Sequence, residues 1–362
     1  MRGPLTTRIA AALLLACMCC APAWGKPKHR QKPQPKHAKA KARPHWWSQS
    51  HFDPTKDDIG DYDDPVVRAA AVEALGLLKG SVVAIDPATG RVLSVVNQKL
   101  AFSAGFEPCS TIKLVVALAA LNTGTITPDT MLRIGRKRYM NLTEALAHSN
   151  NKFFETLGEQ LGFGTVIEYA EMVGFGDLAG LGIPEEQAGT LPSKPPFFGG
   201  VGRMCSFGSG IRVTPLEMAS LIATFANNGT MYWLQYPRTD EERQHYVPWV
   251  KKELAIAPPL ADLRDGMLAA VLYGTAQRSY DQDIQPVGKT GTCNDETDGG
   301  GLGWFASYAG QGRPQIVLVV LLRGGQVRVS GPRAAEIAGR VYANLRRQNF
   351  FATDAAGAAS KE

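Results

Sequence analysis

Ser110 and Lys113 are the residues of this 362-residue chain whose types and spacing most directly suggest covalent chemistry. They stand three positions apart, at the start of an apolar run that predicts a helix over 113–121. Residues at that spacing share a helix face, so we expect the lysine amine to reach the serine hydroxyl. The free amides and the dipole of a helix N-terminus favour developing negative charge. We interpret the pair as a nucleophile and its base, which requires burial or a second cation to lower the pKa of the lysine.

A second Ser-x-x-Lys, at Ser149 and Lys152, means that the tetrad alone does not identify the nucleophile. Either serine by itself could be a helix cap or a turn residue. The order of motifs along the chain separates them. Ser110 is followed by a Ser-x-Asn, at Ser149 and Asn151, and then by a Lys-Thr-Gly at 289–291, whereas Ser149 has no Ser-x-Asn after it. The order therefore favours Ser110 as the nucleophile.

The third motif runs from Lys289 to Thr292 and lies in a predicted edge strand over 287–293. Gly291 would let a substrate backbone approach closely and pair as an added strand. The ammonium of Lys289 and the hydroxyls of Thr290 and Thr292 suit a carboxylate. Lys289 is also the expected second cation that lowers the pKa of the candidate base.

The elements that must position these residues follow from hydrophobic periodicity. A helix capped by Asp64 and opened by Pro65 is predicted to end at Gly80. The middle third of the chain is predicted to be mostly helical. Strands at both ends with helices between them predict one α/β (α+β) domain, whose sheet pairs the first and last segments across a helical insertion. The predicted strands are 81–85, 92–96, 287–293, 304–309 and 316–322, and the closing helix is 334–345.

With these motifs in order, the chain resembles the transpeptidase domain of penicillin-binding proteins over nearly the whole of 66–348. The resemblance implies a β-lactamase/transpeptidase-like fold, in which an antiparallel five-stranded sheet is built from both chain ends and flanked by helices. Beyond the three motifs, the likeness is carried by Glu186 and by the segments 86–93, 107–113, 174–176, 189–192, 207–210, 213–219, 226–229, 274–276 and 303–305.

The resemblance also implies a role for each matching residue. Ser110 would attack the D-Ala-D-Ala carbonyl of a peptidoglycan stem peptide, Lys113 would take its proton, and Ser149 would relay a proton to the leaving D-Ala. Asn151 would hold the substrate's peptide amide and help to position Lys113. β-Lactams would acylate the same serine as substrate mimics. No cofactor and no metal is implied. The residues expected to receive the terminal carboxylate are Lys289, Thr290 and Thr292, and the oxyanion would be bound by the backbone amides of Ser110 and Thr292.

Other functions of the same constellation remain open at this point. A D,D-carboxypeptidase would hydrolyse the same acyl-enzyme. A β-lactamase would need a base for fast deacylation, and no Glu-x-x-Leu-Asn stands between Ser149 and Lys289. A sensor or scaffold that binds β-lactam or peptidoglycan without turnover would be expected to lose one of the four polar residues. All four are present: Ser110, Lys113, Ser149 and Lys289.

Two cysteines flank the predicted site, and their state is open. Cys109 stands where the resembled family has glycine, and Cys293 directly follows the Lys-Thr-Gly-Thr segment. The plain interpretation is a pair of small, partly buried thiols. The alternative is a disulfide, or a redox-sensitive pair, that rigidifies or gates the site, with Cys205 as the odd thiol. Neither the cysteines nor the six histidines show metal-ligand spacing.

The N-terminal residues predict export. Residues 1–25 combine a positive start, an apolar run and small residues, which is typical of a secretory signal, although an uncleaved anchor or a lipid-modified cysteine is possible. Residues 26–63 form a basic and then acidic tail that we expect to be disordered. The domain is predicted over 64–348, and 349–362 as a C-terminal tail. We expect the protein in the periplasm or on the outer face of the cytoplasmic membrane.

The net charge of +6 comes from one tail. Residues 1–43 hold ten Lys and Arg and no acid, so the remainder is net negative. The basic tail could bind anionic membrane or wall polymers, or it could be a solvated spacer. Because the net positive charge belongs to this tail and the remainder is net negative, we do not expect nucleic acid as a partner.

Overall fold

The computed structural model describes residues 53–309, 313–324 and 329–351. The predicted signal, the basic tail and most of the predicted C-terminal tail lie outside these ranges. Short 3-10 turns occur at Cys109–Ile112 and Gln277–Ser279. The helices are α1 (Pro65–Leu75), α2 (Gln98–Ala101), α3 (Lys113–Asn122), α4 (Leu142–Ala147), α5 (Asn151–Met172), α6 (Gly200–Phe207), α7 (Pro215–Ala226), α8 (Asp240–Gln244), α9 (Ala257–Leu272) and α10 (Gly331–Arg347). The strands are β1 (Gly80–Ile85), β2 (Val92–Val96), β3 (Leu132–Gly135), β4 (Arg138–Met140), β5 (Thr230–Tyr232), β6 (Val250–Glu253), β7 (Val287–Asn294), β8 (Gly301–Ala309) and β9 (Ile316–Gly324).

A five-stranded sheet in the order β2-β1-β9-β8-β7 carries the fold, and all its neighbouring pairs are antiparallel. β1 pairs with β9, so the first and last parts of the described chain meet in the centre of the sheet. Both central strands are buried almost throughout, which explains why they read as continuous apolar runs instead of alternating ones. β7 is at one edge. The predicted sheet, its five strands and the edge position of β7 are confirmed.

Helices cover both faces of this sheet. On one face α1 and α10 pack against alternate residues of β1 and β9. On the other face lie α3 and α7, in which nearly every residue is buried, together with α5. A helix that is apolar all round is one that packs inside a large core. The mostly helical insertion between β2 and β7 therefore supplies the second core. The segment 107–113, which carries the predicted nucleophile Ser110 and is called the nucleophile segment below, lies within it at the start of α3. In the described ranges no helix has the length and apolar character that crossing a bilayer requires.

The first helix is shorter than predicted. α1 ends at Leu75, and Gly76, at φ 57°, caps it by donating its N–H to the carbonyl of Val72. The prediction extended to Gly80 because Leu78 continues the apolar spacing, but Leu78 packs against the same core from the connecting loop. Gly80 instead begins β1, where a Cβ would lie 2.5 Å from the carbonyl oxygen of Leu321.

The acidic segment before α1 is part of the fold, so the expectation that disorder extends to residue 63 is wrong for 53–63. The carboxylate of Asp58 accepts the backbone N–H groups of Asn97 and Gln98 at 2.9 and 2.8 Å. Arg68 contacts both Asp58 and the buried Asp63, which is 5 % exposed. Composition suggested a solvated segment, whereas the fold supplies a cation and backbone donors for these carboxylates. The described chain likewise continues past 348, where Phe350 and Phe351 pack against the core.

Candidate active site

The nucleophile segment enters the site as a 3-10 turn that runs directly into α3. Thr111 Oγ1 donates to the carbonyl of Pro108 at 2.6 Å, which closes the turn. The indole N–H of the fully buried Trp304 donates to the carbonyl of Glu107 at 2.8 Å and ties the segment to β8. Ser110 is thereby placed in the first helical turn, where backbone amides have no intrahelical acceptor.

Lys113 lies beneath Ser110 and is fully buried. Its Nζ is 3.0 Å from Ser110 Oγ, which confirms the reach predicted from their spacing. The same amine is 2.7 Å from the carbonyl oxygen of Ser149, 3.1 Å from Ser149 Oγ and 2.6 Å from Asn151 Oδ1. Four oxygens around one amine fix its position. A neutral amine has a lone pair as well as N–H groups, so this geometry also lets Lys113 accept a proton from either hydroxyl.

The hydroxyl of Ser149 links two lysines. Lys289 Nζ donates to Ser149 Oγ at 2.8 Å and to the carbonyl of Thr290 at 3.0 Å. Lys289 is 0 % exposed. Ser110, Lys113, Ser149 and Lys289 therefore form a continuous chain of amines and hydroxyls through the site, with Asn151 attached to its centre.

Burial lowers the pKa of both lysines. It lowers the pKa of Lys289 to about 7. Burial is also the largest cause that lowers the pKa of Lys113 well below its usual value, and the nearby charge of Lys289 lowers it further. The predicted effect of Lys289 on Lys113 is thus present, but it is secondary to desolvation.

The turn between α4 and α5 aims Ser149 and Asn151 at the amine. Ser149 has φ 52°, a left-handed conformation that L-residues seldom adopt. It follows α4, and its N–H donates to the carbonyl of Leu146 at 3.2 Å. Asn150 then caps α5 by accepting the N–H of Phe153 at 2.9 Å. Because one helix ends and the next begins within three residues, both the carbonyl of Ser149 and the side chain of Asn151 reach Lys113.

The remaining predicted residues continue along β7. Thr290 is buried, and its hydroxyl lies 2.6 Å from that of Thr275. Thr292 is exposed and its hydroxyl accepts the N–H of Gly331 at 2.8 Å. Gly291 lies between them. The structure thus brings Ser110, Lys113, Ser149, Asn151 and Lys289 into direct contact, and places Thr290, Gly291 and Thr292 in line along the edge strand.

The physical reason predicted for Gly291 needs correction. A Cβ there would lie 2.9 Å from the carbonyl oxygen of Pro108 and 3.2 Å from the Cβ atoms of Cys109 and Trp304. The missing side chain therefore lets β7 pack tightly on the nucleophile segment. It does not open space for a substrate backbone, which would pair along the free edge of the strand instead.

Two contacts at the site were not foreseen. Thr275 lies in the 274–276 segment that carries the resemblance, and its hydroxyl contacts that of Thr290. The carbonyl of Ser206, at the end of α6, accepts from Ser110 Oγ at 3.4 Å. A Gly-Thr placed shortly before the Lys-Thr-Gly could have indicated the first contact, whereas no local pattern marks the carbonyl of Ser206.

Cys109 and Cys293, which are 184 positions apart in sequence, form a disulfide with their Cα atoms 5.5 Å apart. The interpretation as two free thiols is wrong and the predicted pairing of these cysteines is confirmed, whereas its effect on the site stays a prediction. Cys205 is a free, buried thiol, and burial raises its pKa to about 12. Within the ranges that the structure describes, no group of three or more His, Cys, Asp or Glu side chains could hold a metal ion.

Comparisons with known proteins agree with this geometry. Residues 80–343 match the family model described as the penicillin-binding protein transpeptidase domain. The chain is 25 % identical to stage V sporulation protein D of Bacillus subtilis over 279 residues, which is 68 % of this chain and 43 % of that protein. It is 27 % identical to the peptidoglycan D,D-transpeptidase MrdA of Escherichia coli over 203 residues, 48 % of this chain and 32 % of MrdA. The matches therefore span less than half the length of these two relatives.

The fold has close counterparts among solved structures. The apo structure of the transpeptidase domain from Burkholderia pseudomallei penicillin-binding protein 3 superimposes with a TM-score of 0.68 at 19 % identity, covering 79 % of this chain and 94 % of that one. The D,D-transpeptidase domain of a peptidoglycan glycosyltransferase from Eggerthella lenta gives 0.61 at 20 % identity, over 79 % of this chain and 82 % of the other. These structures share the fold, and the family match over 80–343, which spans the whole five-stranded sheet and the helical insertion, shows that the chain belongs to the family of penicillin-binding protein transpeptidase domains.

Proposed function

We propose that this chain is a serine D,D-transpeptidase that cross-links peptidoglycan stem peptides through an acyl-enzyme on Ser110. The observation that carries the proposal is the contact between the fully buried Lys113 amine and two hydroxyls, Ser110 Oγ at 3.0 Å and Ser149 Oγ at 3.1 Å. A lysine whose pKa is lowered by burial is neutral at a pH where it can accept the serine proton.

In the acylation step, Ser110 Oγ attacks the carbonyl carbon between the two D-Ala residues, and its proton passes to Lys113 Nζ. The resulting oxyanion is bound by the backbone amides of Ser110 and Thr292. Collapse of this intermediate forms the ester and breaks the C–N bond. The leaving D-Ala nitrogen takes a proton from Ser149 Oγ, which is replenished from the Lys113 ammonium. Protons and electron pairs balance without a cofactor.

In the second step an amine of another stem peptide attacks the ester, gives its proton back through the same groups and releases Ser110. Water in place of the amine would make the product of a carboxypeptidase. A β-lactam enters the acylation step in the same way, but its leaving nitrogen stays tethered to the acyl group, so the adduct persists.

The substrate's terminal carboxylate is assigned to the far end of the site. Lys289 supplies the charge, and the hydroxyls of Thr290 and Thr292 supply hydrogen bonds. The contact between Thr275 and Thr290 supports this assignment, since it can orient the Thr290 hydroxyl toward a bound anion. Asn151 is positioned to hold the substrate's peptide amide while its Oδ1 keeps Lys113 in place.

Export is part of the same proposal, because stem peptides lie outside the cytoplasm. It is supported by the signal-like composition of residues 1–25. Intact mass of the protein recovered from the exported fraction would distinguish cleavage near residue 25 from an uncleaved anchor or a lipid-modified cysteine.

The test is acylation by a fluorescent penicillin followed by intact mass over hours. We expect one stable adduct in the parent protein and none in Ser110→Ala. A matched control is Ser103→Ala, whose hydroxyl contacts only the nearby carbonyl of Leu100 among its described hydrogen bonds. Rapid loss of the adduct would indicate a β-lactamase instead. Release of D-Ala from a stem peptide without cross-linked product would indicate a carboxypeptidase, and absence of any adduct would exclude the catalytic assignment.

A further inference from the structure

We propose that the Cys109–Cys293 disulfide positions the two oxyanion-binding amides, so that efficient acyl transfer requires the oxidised protein. The inference rests on the proposed function. It concerns what fixes the distance between the backbone amides of Ser110 and Thr292, which the assignment of Ser110 as nucleophile does not address.

The disulfide joins the two residues that neighbour the proposed oxyanion-binding amides. Cys109 immediately precedes Ser110, and Cys293 immediately follows Thr292. The two amides assigned to the oxyanion therefore belong to the neighbours of the two half-cystines. A bond that holds the cysteine Cα atoms at 5.5 Å limits how far these amides can move apart. Donors must lie within about 0.5 Å of their productive positions to act on a developing oxyanion.

The sheet alone restrains this end of β7 weakly. β7 is an edge strand and is paired on one side only, by β8. Its last residues, Thr292 and Asn294, are exposed, and the half-buried Cys293 lies between them. Beyond them the chain turns through Asp295 and Glu296. Ends of edge strands are where backbone pairing is most easily lost.

Charge holds the two segments together only indirectly, through Arg212, which contacts the Gly105 carbonyl and the Asp295 carboxylate. Burial, then the charge of Glu296 and a hydrogen bond to its carboxylate, raise the pKa of Glu107 in the nucleophile segment to about 8. Glu107 therefore meets the turn after β7 as a protonated carboxyl that shares one hydrogen bond with Glu296, and this contact is lost when Glu107 ionises.

The backbone of Cys109 supplies an independent argument. Its φ is 49°, in the left-handed region that favours glycine. Residues in such conformations persist where the surrounding structure holds them. The Cys109 side chain is fully buried against β7, and the disulfide links it to that strand. Without the link this residue can relax toward ordinary φ values, and the amide of Ser110 would rotate with it.

Other ties between the segments survive reduction. Trp304 still donates to the carbonyl of Glu107 at 2.8 Å. Arg212 still bridges the carbonyl of Gly105, at 2.7 Å, and the carboxylate of Asp295, at 3.3 Å. We therefore expect the reduced protein to stay folded while the amides lose their register.

The redox step is a thiol–disulfide exchange. A thiolate of a dithiol reductant attacks Cys293 Sγ, which is the more accessible sulfur because Cys293 is half-buried and Cys109 is fully buried. Cys109 leaves as a thiolate, and the second reductant thiol resolves the mixed disulfide, releasing Cys293 as a thiol and the reductant as its disulfide. Oxidation by a disulfide reagent runs the same exchange in reverse, and exported compartments favour that direction.

The experiment measures the acylation rate constant and the dissociation constant of the preceding non-covalent complex, with a chromogenic β-lactam, before and after reduction. All proteins carry Cys205→Ala to exclude exchange with the buried free thiol. The comparison variant is C109G/C293A, since glycine keeps the left-handed backbone accessible while removing the link. Far-UV CD and the Tm are recorded for each protein.

We expect reduction and C109G/C293A each to lower the acylation rate constant by about 10- to 100-fold, because donors to the oxyanion act in the transition state. The dissociation constant should change less than about threefold. Oxidised glutathione should restore the rate of the reduced parent and leave C109G/C293A unchanged.

An equal rate constant in the oxidised and reduced parent would overturn this inference and leave the proposed function intact. A loss of rate that appears only together with loss of the CD signal, or a loss confined to the dissociation constant, would also overturn it. Failure of the oxidised parent to form any adduct would instead overturn the proposed function, and this inference with it.

Discussion

At the scale of single residues, the site is organised by two buried lysines that meet at one serine hydroxyl. Lys113 contacts Ser149 Oγ at 3.1 Å and Lys289 contacts it at 2.8 Å. Two ammonium groups in one buried site disfavour each other, so the lysine with the lower pKa gives up its proton first. That lysine is expected to be Lys113, which leaves a neutral base beside Ser110 and a cation toward the substrate's carboxylate.

The pH dependence of acylation follows from these two groups. The base must be neutral, so activity is present above the lowered pKa of Lys113 and is lost as the pH falls through it. The carboxylate-binding group must be charged, so binding is lost as the pH rises through the pKa of Lys289, about 7 in the free protein. We expect a bell-shaped profile of kcat/KM. In the profile of kcat the alkaline limb should move to higher pH, because a bound carboxylate stabilises the charged lysine.

Replacement of Lys289 by alanine should affect the acid and the alkaline limb of the pH profile differently. In Lys289→Ala the alkaline limb should disappear, and the acid limb should move to higher pH because Lys113 no longer has a positive neighbour. Acylation rates measured from pH 5 to 10 with a carboxylate-bearing β-lactam test this. An acid limb that stays in place would contradict the assignment of Lys289 as the cation that lowers the pKa of Lys113.

At the scale of elements, the proposed function depends on how closely the edge strand β7 approaches the turn before α3. Two features hold β7 against this turn: the disulfide from Cys109 to Cys293, and the absence of a side chain at Gly291, which allows close packing. The hydrogen bond from Trp304 to Glu107 holds the same turn against the neighbouring strand β8. Each acts on the distance between the nucleophile and the strand that would receive the substrate.

The steric requirement can be tested by Gly291→Ala. Its Cβ would lie 2.9 Å from the Pro108 carbonyl oxygen, so the strand or the turn must shift. We expect the free energy of unfolding to fall by about 1–3 kcal/mol, as for overpacked cores, and acylation to slow. The measurement is urea denaturation of the oxidised protein together with penicillin labelling.

A matched control for this substitution is Gly164→Ala, in the exposed part of α5. Outside its own stretch of helix, no atom lies within 4 Å of the Cβ that it would introduce. Gly164 follows Gly162, whose φ of 79° interrupts α5, so it lies in a first helical turn, where alanine gains at most the ~1 kcal/mol over glycine of a helix interior. Gly164→Ala should therefore stabilise the protein or leave it unchanged. If Gly291→Ala behaved like this control, the close packing of β7 would not be a requirement of the fold.

At the scale of the whole molecule, a buried polar cluster connects the segment before α1 with distant parts of the chain. Asp63 accepts from Arg68 at 2.8 Å, from Ser94 Oγ at 2.7 Å and from Tyr236 Oη at 2.5 Å. Tyr236 is 173 residues away in sequence. Burial nevertheless raises the pKa of Asp63, so its charge depends on these partners.

Arg68→Met should weaken the whole fold. It leaves Asp58 and Asp63 without their cation, which we expect to lower the free energy of unfolding by about 1–3 kcal/mol, since Arg68 is partly exposed and its pairing is screened. The folded pKa of Asp63 then rises further above the unfolded value. Stability is therefore lost as the pH rises through that folded pKa, and the deficit should be smaller at pH 5 than at pH 8.

Urea denaturation at both pH values checks this, with the exposed Arg136→Met as the control that should change stability by less than about 0.5 kcal/mol. A deficit that is equal at the two pH values would show that Asp63 is not the group left uncompensated.

The sequence by itself determined what depends on neighbouring residues and on the order of motifs. A spacing of three in a helix brings Lys113 under Ser110, and apolar runs of the right length predicted the five strands to within a few residues. Order along the chain favoured Ser110 over Ser149 as the nucleophile, and that choice stays a prediction. The predicted reach of Lys113 and the predicted strands are confirmed because backbone geometry converts short spacings directly into distances.

Only the tertiary structure decided what depends on contacts between distant segments. The packing of β7 against the turn before α5 brings the Lys289 amine to the Ser149 hydroxyl, although the two residues are 140 positions apart. The packing of β7 against the turn before α3 joins Cys109 to Cys293. It also shows that Gly291 is needed for close packing of the strand and not for the approach of a substrate. The end of α1 at Leu75 was mispredicted because Leu78 packs against the core from a loop and not from the helix. The acidic segment was mispredicted because carboxylates such as that of Asp58 bind backbone N–H groups in a distant part of the chain. One chain read alone carries no signal for such pairings, since they arise from the packing of the complete sheet and its helices.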